Sequence, residues 1–345
     1  MSKRQAFFLH PILAQNMKKI LSHLFEHRTF SRSEAHEILT DITSGKYNTS
    51  QIAAFMTAYS MRSIREEELE GFRDSMFDLS VKRDYRDYKL IDLCGTGGDG
   101  KNTFNISTLA SFIVAGAGHK VAKHGNYGVS SGCGSSNVME YLGYQFSNEQ
   151  DEIYRSLDEA NICFLHAPLF HPAMKTVAPI RRELGVKTFF NMLGPLINPS
   201  KPVYQSVGVF NLELARLFGY IYQKTDKQFT VVHALDGYDE VSLTGSFKLI
   251  TNKAERIVTL KELNFSAVNP LDIQGGNTVE EAAAIFRQIL NNEGNEVQNR
   301  VVLSNAAVAI NTIRQESSFA DCYEEARESL ESGRALACLT TLINR

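Results

Sequence analysis

The hexapeptide Gly95-Thr96-Gly97-Gly98-Asp99-Gly100 joins a short, mostly apolar run, Lys89-Leu90-Ile91-Asp92-Leu93-Cys94, to small and apolar residues from Ser107 to Ala115. Glycine reaches backbone conformations closed to other residues, so four glycines in six positions predict a tight turn. The run before it reads as a strand and the segment after it as a helix, which is how an α/β unit begins. Backbone amides in such a turn approach an anion closely, and the helix N-terminus favours negative charge. A turn with no ligand could use the same residues, but a phosphate cradle accounts better for so many glycines. Of the 23 glycines in 345 residues, 11 fall between Gly95 and Gly143, so this construction is confined to one region.

The chain on either side has a different texture. From Pro11 to Leu79 apolar residues recur every three or four positions, as in Ile12, Leu13, Met17, Ile20, Leu21 and Leu24. Ser31 with Glu34 has the spacing of a capping box, Ser50 opens a third helix, and Arg65-Glu66-Glu67-Glu68 leads a fourth. The charged stretch Lys82-Arg83-Asp84-Tyr85-Arg86-Asp87 marks a boundary. Beyond it, strands are predicted at Lys120–Lys123, Val203–Val209, Phe229–Leu235 and Phe247–Thr251. Helices are predicted at Leu212–Tyr222 and Val279–Leu290. Alternating strands and helices place this part in the α/β class.

Two nucleotide motifs nearly fit the glycine turn and fail. Gly95-x-Gly97-x-x-Gly100 matches the dinucleotide fingerprint, but the acid expected about 20 residues on is replaced by Lys120-Val121-Ala122-Lys123-His124-Gly125. Gly95-x4-Gly100-Lys101 approaches the Walker pattern, yet Asn102 stands where Ser or Thr would hold magnesium. Three further groups suit a phosphorylated ligand. Asn105-Ile106-Ser107-Thr108 puts amide and hydroxyl groups at the helix start. Lys123-His124-Gly125-Asn126 brings a cation, an imidazole and an amide to a strand end. Ser130-Ser131-Gly132-Cys133-Gly134-Ser135-Ser136 opens another helix. In open α/β sheets such loops meet beyond the carboxyl ends of the strands.

Composition excludes several classes. Hydrophobic residues at 43% and charged residues at 22% describe a globular chain, and a net charge of −3 offers no broad basic field for nucleic acid. Five scattered cysteines form no CxxC pair, so neither a disulfide framework nor structural zinc is expected. Cys163-x2-His166-x4-His171 matches no standard zinc spacing. His10 and Pro11 interrupt the apolar run after Lys3 and Arg4, and no stretch of about 18 apolar residues follows. A cytoplasmic location without membrane association is expected.

Several of these motifs, with others further on, together resemble the anthranilate phosphoribosyltransferases. They are Gly95-Thr96-Gly97-Gly98-Asp99, Asn105-x-Ser107-Thr108, Lys123-His124-Gly125-Asn126 and His171-Pro172-Ala173-Met174. Arg181-Arg182-Glu183-Leu184-Gly185, Phe190-Asn191-Met192-Leu193-Gly194-Pro195-Leu196-x-Asn198-Pro199 and Asp239-Glu240 complete the set. The resemblance runs from the N-terminal helices to the C-terminus and is densest from Asp92 to Ser242. It implies an α/β fold in which a small N-terminal all-helical domain, 1–82, is joined by helices near 172–190. A larger α/β domain, 83–345, would have a central sheet flanked by helices.

The resemblance implies transfer of the phosphoribosyl group of phosphoribosyl pyrophosphate to the amine of anthranilate, releasing pyrophosphate, in tryptophan biosynthesis. It implies Mg²⁺, two ions per active site, and a homodimer formed through the helical domain. Carried over by motif, Gly95, Gly98, Asp99, Thr103, Asn105, Ser107, Thr108, Lys123 and Ser135 hold the donor, and Ser107, Asp239 and Glu240 hold magnesium. Gly95, His124, Asn126, His171, Arg181 and Gly194 line the anthranilate route. No acid or base stands out, and Lys123, Asn126 and Arg181 are positioning groups.

The residue types suit these roles, since Mg²⁺ takes oxygen ligands and a guanidinium forks onto a carboxylate. Other readings stay open for some of them. Asp239-Glu240 could be an exposed acidic turn, Arg181 a partner of Glu183, Arg182 an equal candidate for the carboxylate, and His171 a helix-entry residue. Tyr127 and Gly128 stand where many members have arginine and alanine, Cys133 lies in an altered loop, and Asn137 replaces an aspartate. Those changes predict altered loop conformation or donor affinity rather than lost activity. The competing functions are a pyrimidine-nucleoside phosphorylase, which shares the fold, and a non-catalytic nucleic-acid-binding relative.

Overall fold

The computed structural model describes residues 16–128 and 133–344. They form two compact units, one of the described residues up to Ser80 with Pro172–Leu193, the other of Val81–His171 with the chain from Gly194 onward. Ile12, Leu13 and the loop residues Ser130, Ser131 and Gly132 lie outside the described residues.

The first unit is helical. Met17–Phe25, Arg32–Thr43, Thr49–Ser60 and Glu66–Asp78 are its long helices, and Ala178–Leu184 and Phe190–Leu193 are short ones from the second segment. Local chemistry starts the second helix as expected. The Ser31 hydroxyl accepts the Glu34 amide while the Glu34 carboxylate accepts the Ser31 amide, satisfying two orphan donors. The third helix begins one residue before the predicted Ser50, because Asn48 and Gln51 form the same reciprocal cap.

Burial in this unit centres on Glu68, which is fully inaccessible. Its carboxylate accepts from the Phe30 and Arg65 amides, the Tyr59 hydroxyl and both terminal nitrogens of Arg62. Three stretches of chain are thereby tied to one charge. Phe189 joins the second segment to the bundle, with its ring 4.6 Å from Phe72, 5.2 Å from Tyr59 and 5.9 Å from Phe55.

The second unit is built on seven strands: β1 (Ile91–Gly95), β2 (Val121–Gly125), β3 (Ile162–His166), β4 (Tyr204–Gly208), β5 (Gln228–Ala234), β6 (Phe247–Thr251) and β7 (Glu255–Val258). Their order is β3-β2-β1-β4-β5-β6-β7; the first five are parallel, and β6 and β7 are antiparallel additions. Helices Ile106–Gly116, Glu296–Ile313, Phe319–Glu331 and Arg334–Ile343 contribute heavily to the main core. Helix Ile106–Gly116 is buried almost all round, which its small residues permit. A mixed central sheet flanked by helices is the fold class expected. Among the described residues no helix is long and apolar enough to cross a membrane.

Two strands lack a predicted counterpart. Ile162-Cys163-Phe164-Leu165-His166 is buried at every position, so it has no alternation to read, and only Asn161 separates it from helix Gln150–Ala160. Glu255-Arg256-Ile257-Val258 is a short edge strand, exposed except at Val258.

The topology places the glycine turn. β1 leads through helix Ile106–Gly116 to β2 on one side, whereas β4 pairs with its other side. The turn after β1 therefore sits where the strand order reverses, the point at which open α/β sheets take ligands. Removing the Glu68 carboxylate would leave Arg62 charged, enclosed and unpaired. Glu68→Ala is expected to cost roughly 3–5 kcal/mol, read as a lowered urea midpoint of the helical unit by circular dichroism.

Candidate active site

At the end of β1, Gly97, Gly98 and Gly100 all have positive φ (64°, 79° and 73°), so the turn requires glycine at three positions. The loop after β5 returns to this turn. Asp239 is buried there, and its Oδ2 accepts the Gly97 amide at 2.7 Å. It lies directly on two strand ends. A Cβ at Gly95 would overlap the Asp239 carboxylate, and one at Gly208, the last residue of β4, would overlap the Asp239 carbonyl oxygen. These two glycines are the floor on which the Asp239–Glu240 corner rests.

Asp99, Asp239 and Glu240 act on one another at this corner. Burial pushes Asp239 and Glu240 well above the ordinary carboxylate range, and repulsion adds to it, from Asp99 on Asp239 and from Asp239 on Glu240. Burial raises Asp99 too, although the Lys101 amide, bonded to its Oδ1 at 2.9 Å, acts the other way. Ser107, in the first turn of helix Ile106–Gly116, lines the same small cavity as Glu240 and partly opposes its rise. The exposed acidic turn that the Asp239-Glu240 pair could have been is not what forms.

Beside the carboxyl groups stands Lys123, fully buried in the middle of β2. Its amine donates to the Leu93 carbonyl at 2.6 Å and to the Ser107 hydroxyl at 3.4 Å. Burial lowers its proton affinity, while Asp92, Cys94 and Glu240 oppose that loss. β1 and β2 are in register only at Ile91 and Val121, whereas β1 and β4 pair along their whole length. A side chain bonds across β1 and β2, the His124 amide donating to Asp92 Oδ1 at 3.2 Å, and on the other side of β1 Gln205 of β4 donates to Asp92 Oδ2 at 3.2 Å.

A second cluster adjoins β2. His124 Nδ1 lies 3.1 Å from the Gly194 carbonyl oxygen, which can only accept, so Nδ1 carries the proton. Burial lowers the ring's proton affinity and keeps it neutral, leaving Nε2 as a buried lone pair with no protein partner. His171, also buried, stands edge-on at 5.1 Å between ring centroids. His171, Gly194 and His124 thus belong together.

The remaining predicted residues have these places. Thr103 bridges to Gln274, Asn105 donates to the Cys133 carbonyl at 3.2 Å, and Thr108 is fully buried. The Ser135 hydroxyl donates to the carbonyl of exposed Asn126 at 3.4 Å. Asn137 Oδ1 accepts the Gly128 and Gly134 amides at 2.9 and 3.0 Å, tying the described ends of the loop. Tyr127 lies edge-on to His166, 4.9 Å between centroids, so this position packs instead of carrying charge. His166 bonds Ser136 at 2.9 Å, and among the described residues no three His, Cys, Asp or Glu gather as a metal-binding group.

Arg181 belongs to the helical unit. It is half-buried, its guanidinium lies over Phe190 at 5.3 Å, and burial lowers its proton affinity with no acid opposing. It forms no salt bridge to Glu183 among the described residues, whereas Arg182 is exposed, which separates two arginines that composition left equal. Three residues at the site escaped the sequence reading: Asp92, Gln205 and Gly208. A carboxylate and an amide inside apolar strands were the available signals for the first two. Gly208 had none, because its neighbour Asp239 is distant in the chain.

The family description "Glycosyl transferase family, helical bundle domain" matches residues 18–80, and "Glycosyl transferase family, a/b domain" matches residues 87–336. The anthranilate phosphoribosyltransferase of Christiangramia forsetii is 56% identical over 319 residues, 92% of this chain and 96% of that one. The crystal structure of the Thermus thermophilus anthranilate phosphoribosyltransferase superposes with a TM-score of 0.87 at 31% identity, covering 94% of this chain and 98% of that one. The Saccharomyces cerevisiae enzyme, solved in complex with PRPP and Mg, superposes with a TM-score of 0.87 at 25% identity, covering 95% and 97%.

Gly208→Ala tests the floor under the corner. Its methyl group would meet backbone, which cannot rotate away. A loss of about 1–3 kcal/mol in the stability of the α/β unit is expected from urea unfolding. An unchanged midpoint would mean that the corner can lift off β4.

Proposed function

The chain belongs to the anthranilate phosphoribosyltransferase family. We propose that it transfers the phosphoribosyl group of phosphoribosyl pyrophosphate to the amine of anthranilate, releasing pyrophosphate, by positioning and leaving-group stabilisation. The observation that carries this reading is the Asp239–Glu240 corner seated over Gly95 and Gly208, with Ser107, Lys123 and the glycine turn around it.

The residues fit Mg²⁺. Asp99, Asp239 and Glu240 are oxygen donors whose burial and mutual repulsion a divalent cation would relieve. One or two carboxylates with water and phosphate oxygens are an ordinary Mg²⁺ set, so no closed cage of protein ligands is needed. Ser107, Asp239 and Glu240 would hold it, at two ions per site, and bound Mg²⁺ would neutralise charge on the departing pyrophosphate.

The chain's own groups do the rest. Amides of the turn from Gly95 to Gly100 and of the helix start at Asn105, Ser107 and Thr108 receive phosphate oxygens, with Gly98, Asp99, Thr103 and Ser135 bordering them. Lys123 supplies positive charge beneath the ribose phosphate. His124, whose Nε2 is an acceptor, borders the anthranilate route. His171, Asn126 and Gly194 border that route. Arg181, with no acid of its own, receives the carboxylate. Anthranilate's amine is neutral near pH 7, so no base is needed before attack, and alignment of the amine with the anomeric carbon supplies much of the rate.

We assign the helical and α/β units as two functional domains, 1–82 and 83–345, with the helices near 172–190 attached to the first. Location in the cytoplasm and a homodimer formed through the helical domain complete the proposal. Phe25 and Met61 leave 66% and 79% of their surface exposed there, which is material for such a contact.

Anthranilate fluorescence gives the assay, and a chain with no tryptophan adds no indole emission to it. Fluorescence should fall on mixing protein, donor, Mg²⁺ and anthranilate. Persistent fluorescence with phosphorolysis of a pyrimidine nucleoside would reverse the assignment. Asp239→Asn combined with Glu240→Gln should lower kcat by about a hundredfold or more and remove the dependence on magnesium. Arg181→Ala should raise the anthranilate KM by about tenfold or more and leave the donor KM near its original value, since charged hydrogen bonds contribute about 1.5–3 kcal/mol.

A further inference from the structure

We propose that Asn305 is a positioning residue for the Asp239–Glu240 corner, an inference that rests on the magnesium reading above. Asn305 lies in helix Glu296–Ile313, 64 residues from Val241, the residue that follows Glu240. Its Oδ1 accepts the Val241 amide at 2.9 Å, and its Nδ2 donates to the Val241 carbonyl at 2.9 Å. Nδ2 also donates to the Val301 carbonyl of its own helix at 2.8 Å, which fixes the side chain from below.

This is a two-point grip on one residue's backbone. A carboxamide presents a donor and an acceptor side by side, so it pairs with an N–H and a C=O as a neighbouring strand would. Aspartate has no donor, and leucine, of similar shape, has neither group. Asn305 is buried among Val301, Val302, Leu303, Ala306 and Ala307, where an unpaired amide would be costly and an apolar residue would pack as well. It also lines one small cavity with Glu240, Ser107 and Cys94, so its grip lies at the wall of the carboxyl cluster. Gly95 and Gly208 limit how far the corner can sink, and Asn305 limits how far it can turn. Outer partners of this kind orient metal-binding carboxylates without touching the ion.

The test uses Mn²⁺ as a spectroscopic substitute for Mg²⁺, its free concentration read by electron paramagnetic resonance with donor present and anthranilate absent. Asn305→Leu keeps the shape and removes both bonds, and Asn305→Ala leaves space for water at Val241. Thr312→Val is the control: it removes a buried hydroxyl of the same helix that bonds Thr230 at 2.7 Å and Val308 at 2.9 Å. Both Asn305 variants are expected to bind Mn²⁺ about 10- to 100-fold more weakly and to need correspondingly more metal for half-maximal turnover. The anthranilate KM of both, and the Mn²⁺ affinity of Thr312→Val, should stay within about twofold.

Unchanged Mn²⁺ affinity in a folded Asn305 variant would overturn the inference, and so would an equal loss in Thr312→Val. If one Asn305 variant does not fold, the other carries the measurement. Failure of the unsubstituted protein to bind Mn²⁺ with donor present would overturn the metal reading and, with it, this inference.

Discussion

The packing of Asp239 onto two glycines is the contact on which the arrangement of the site depends. The Gly97 amide donates to its carboxylate, and only hydrogen at Gly95 and Gly208 leaves room for the loop that carries it. Because β1 and β4 are adjacent parallel strands in full register, Gly95 and Gly208 are direct partners and form one flat platform. A side chain at either end would raise the corner and separate Asp239 from the glycine turn. The geometry of this corner is therefore set first by steric absence and only afterwards by charge.

Charge is the second constraint. Asp92, Lys123 and Asp239 are buried, with Asp99 and Glu240 half-buried beside them, and burial disfavours the ionised form of each acid clustered at the corner. Such an assembly is poorly suited to stability, since hydrophobic replacements of similar volume often do as well or better. It is well suited to a ligand that brings both cation and anion, because each then satisfies groups that the fold leaves strained electrostatically. The single-pair register between β1 and β2 belongs to the same arrangement: beyond it, the Lys123 amine and the Asp92 carboxylate bond across the two strands.

Much of this was legible locally. The Ser31 cap, the helix Val279–Leu290, the strand Phe247–Thr251 and the glycine turn follow from neighbours within a few residues, where propensity and hydrogen bonding operate. β3 was not legible, because a strand buried on both faces shows no period. The choice between Arg181 and Arg182 was not legible either, since the two differ only in which lies against Phe190 and which faces solvent.

By itself the sequence determined the class of the fold, the turn that needs glycine, and the residue types proposed to hold a phosphorylated donor. Those properties depend on chain stereochemistry and short spacings. Only the tertiary structure decided that Asp239 meets Gly97 across 142 residues, that Gln205 steadies Asp92 across 113, and that Gly208 must lack a side chain. These are contacts between segments with no fixed spacing. Their identity depends on strand order and on what the sheet excludes, and neither is written in any single stretch of chain.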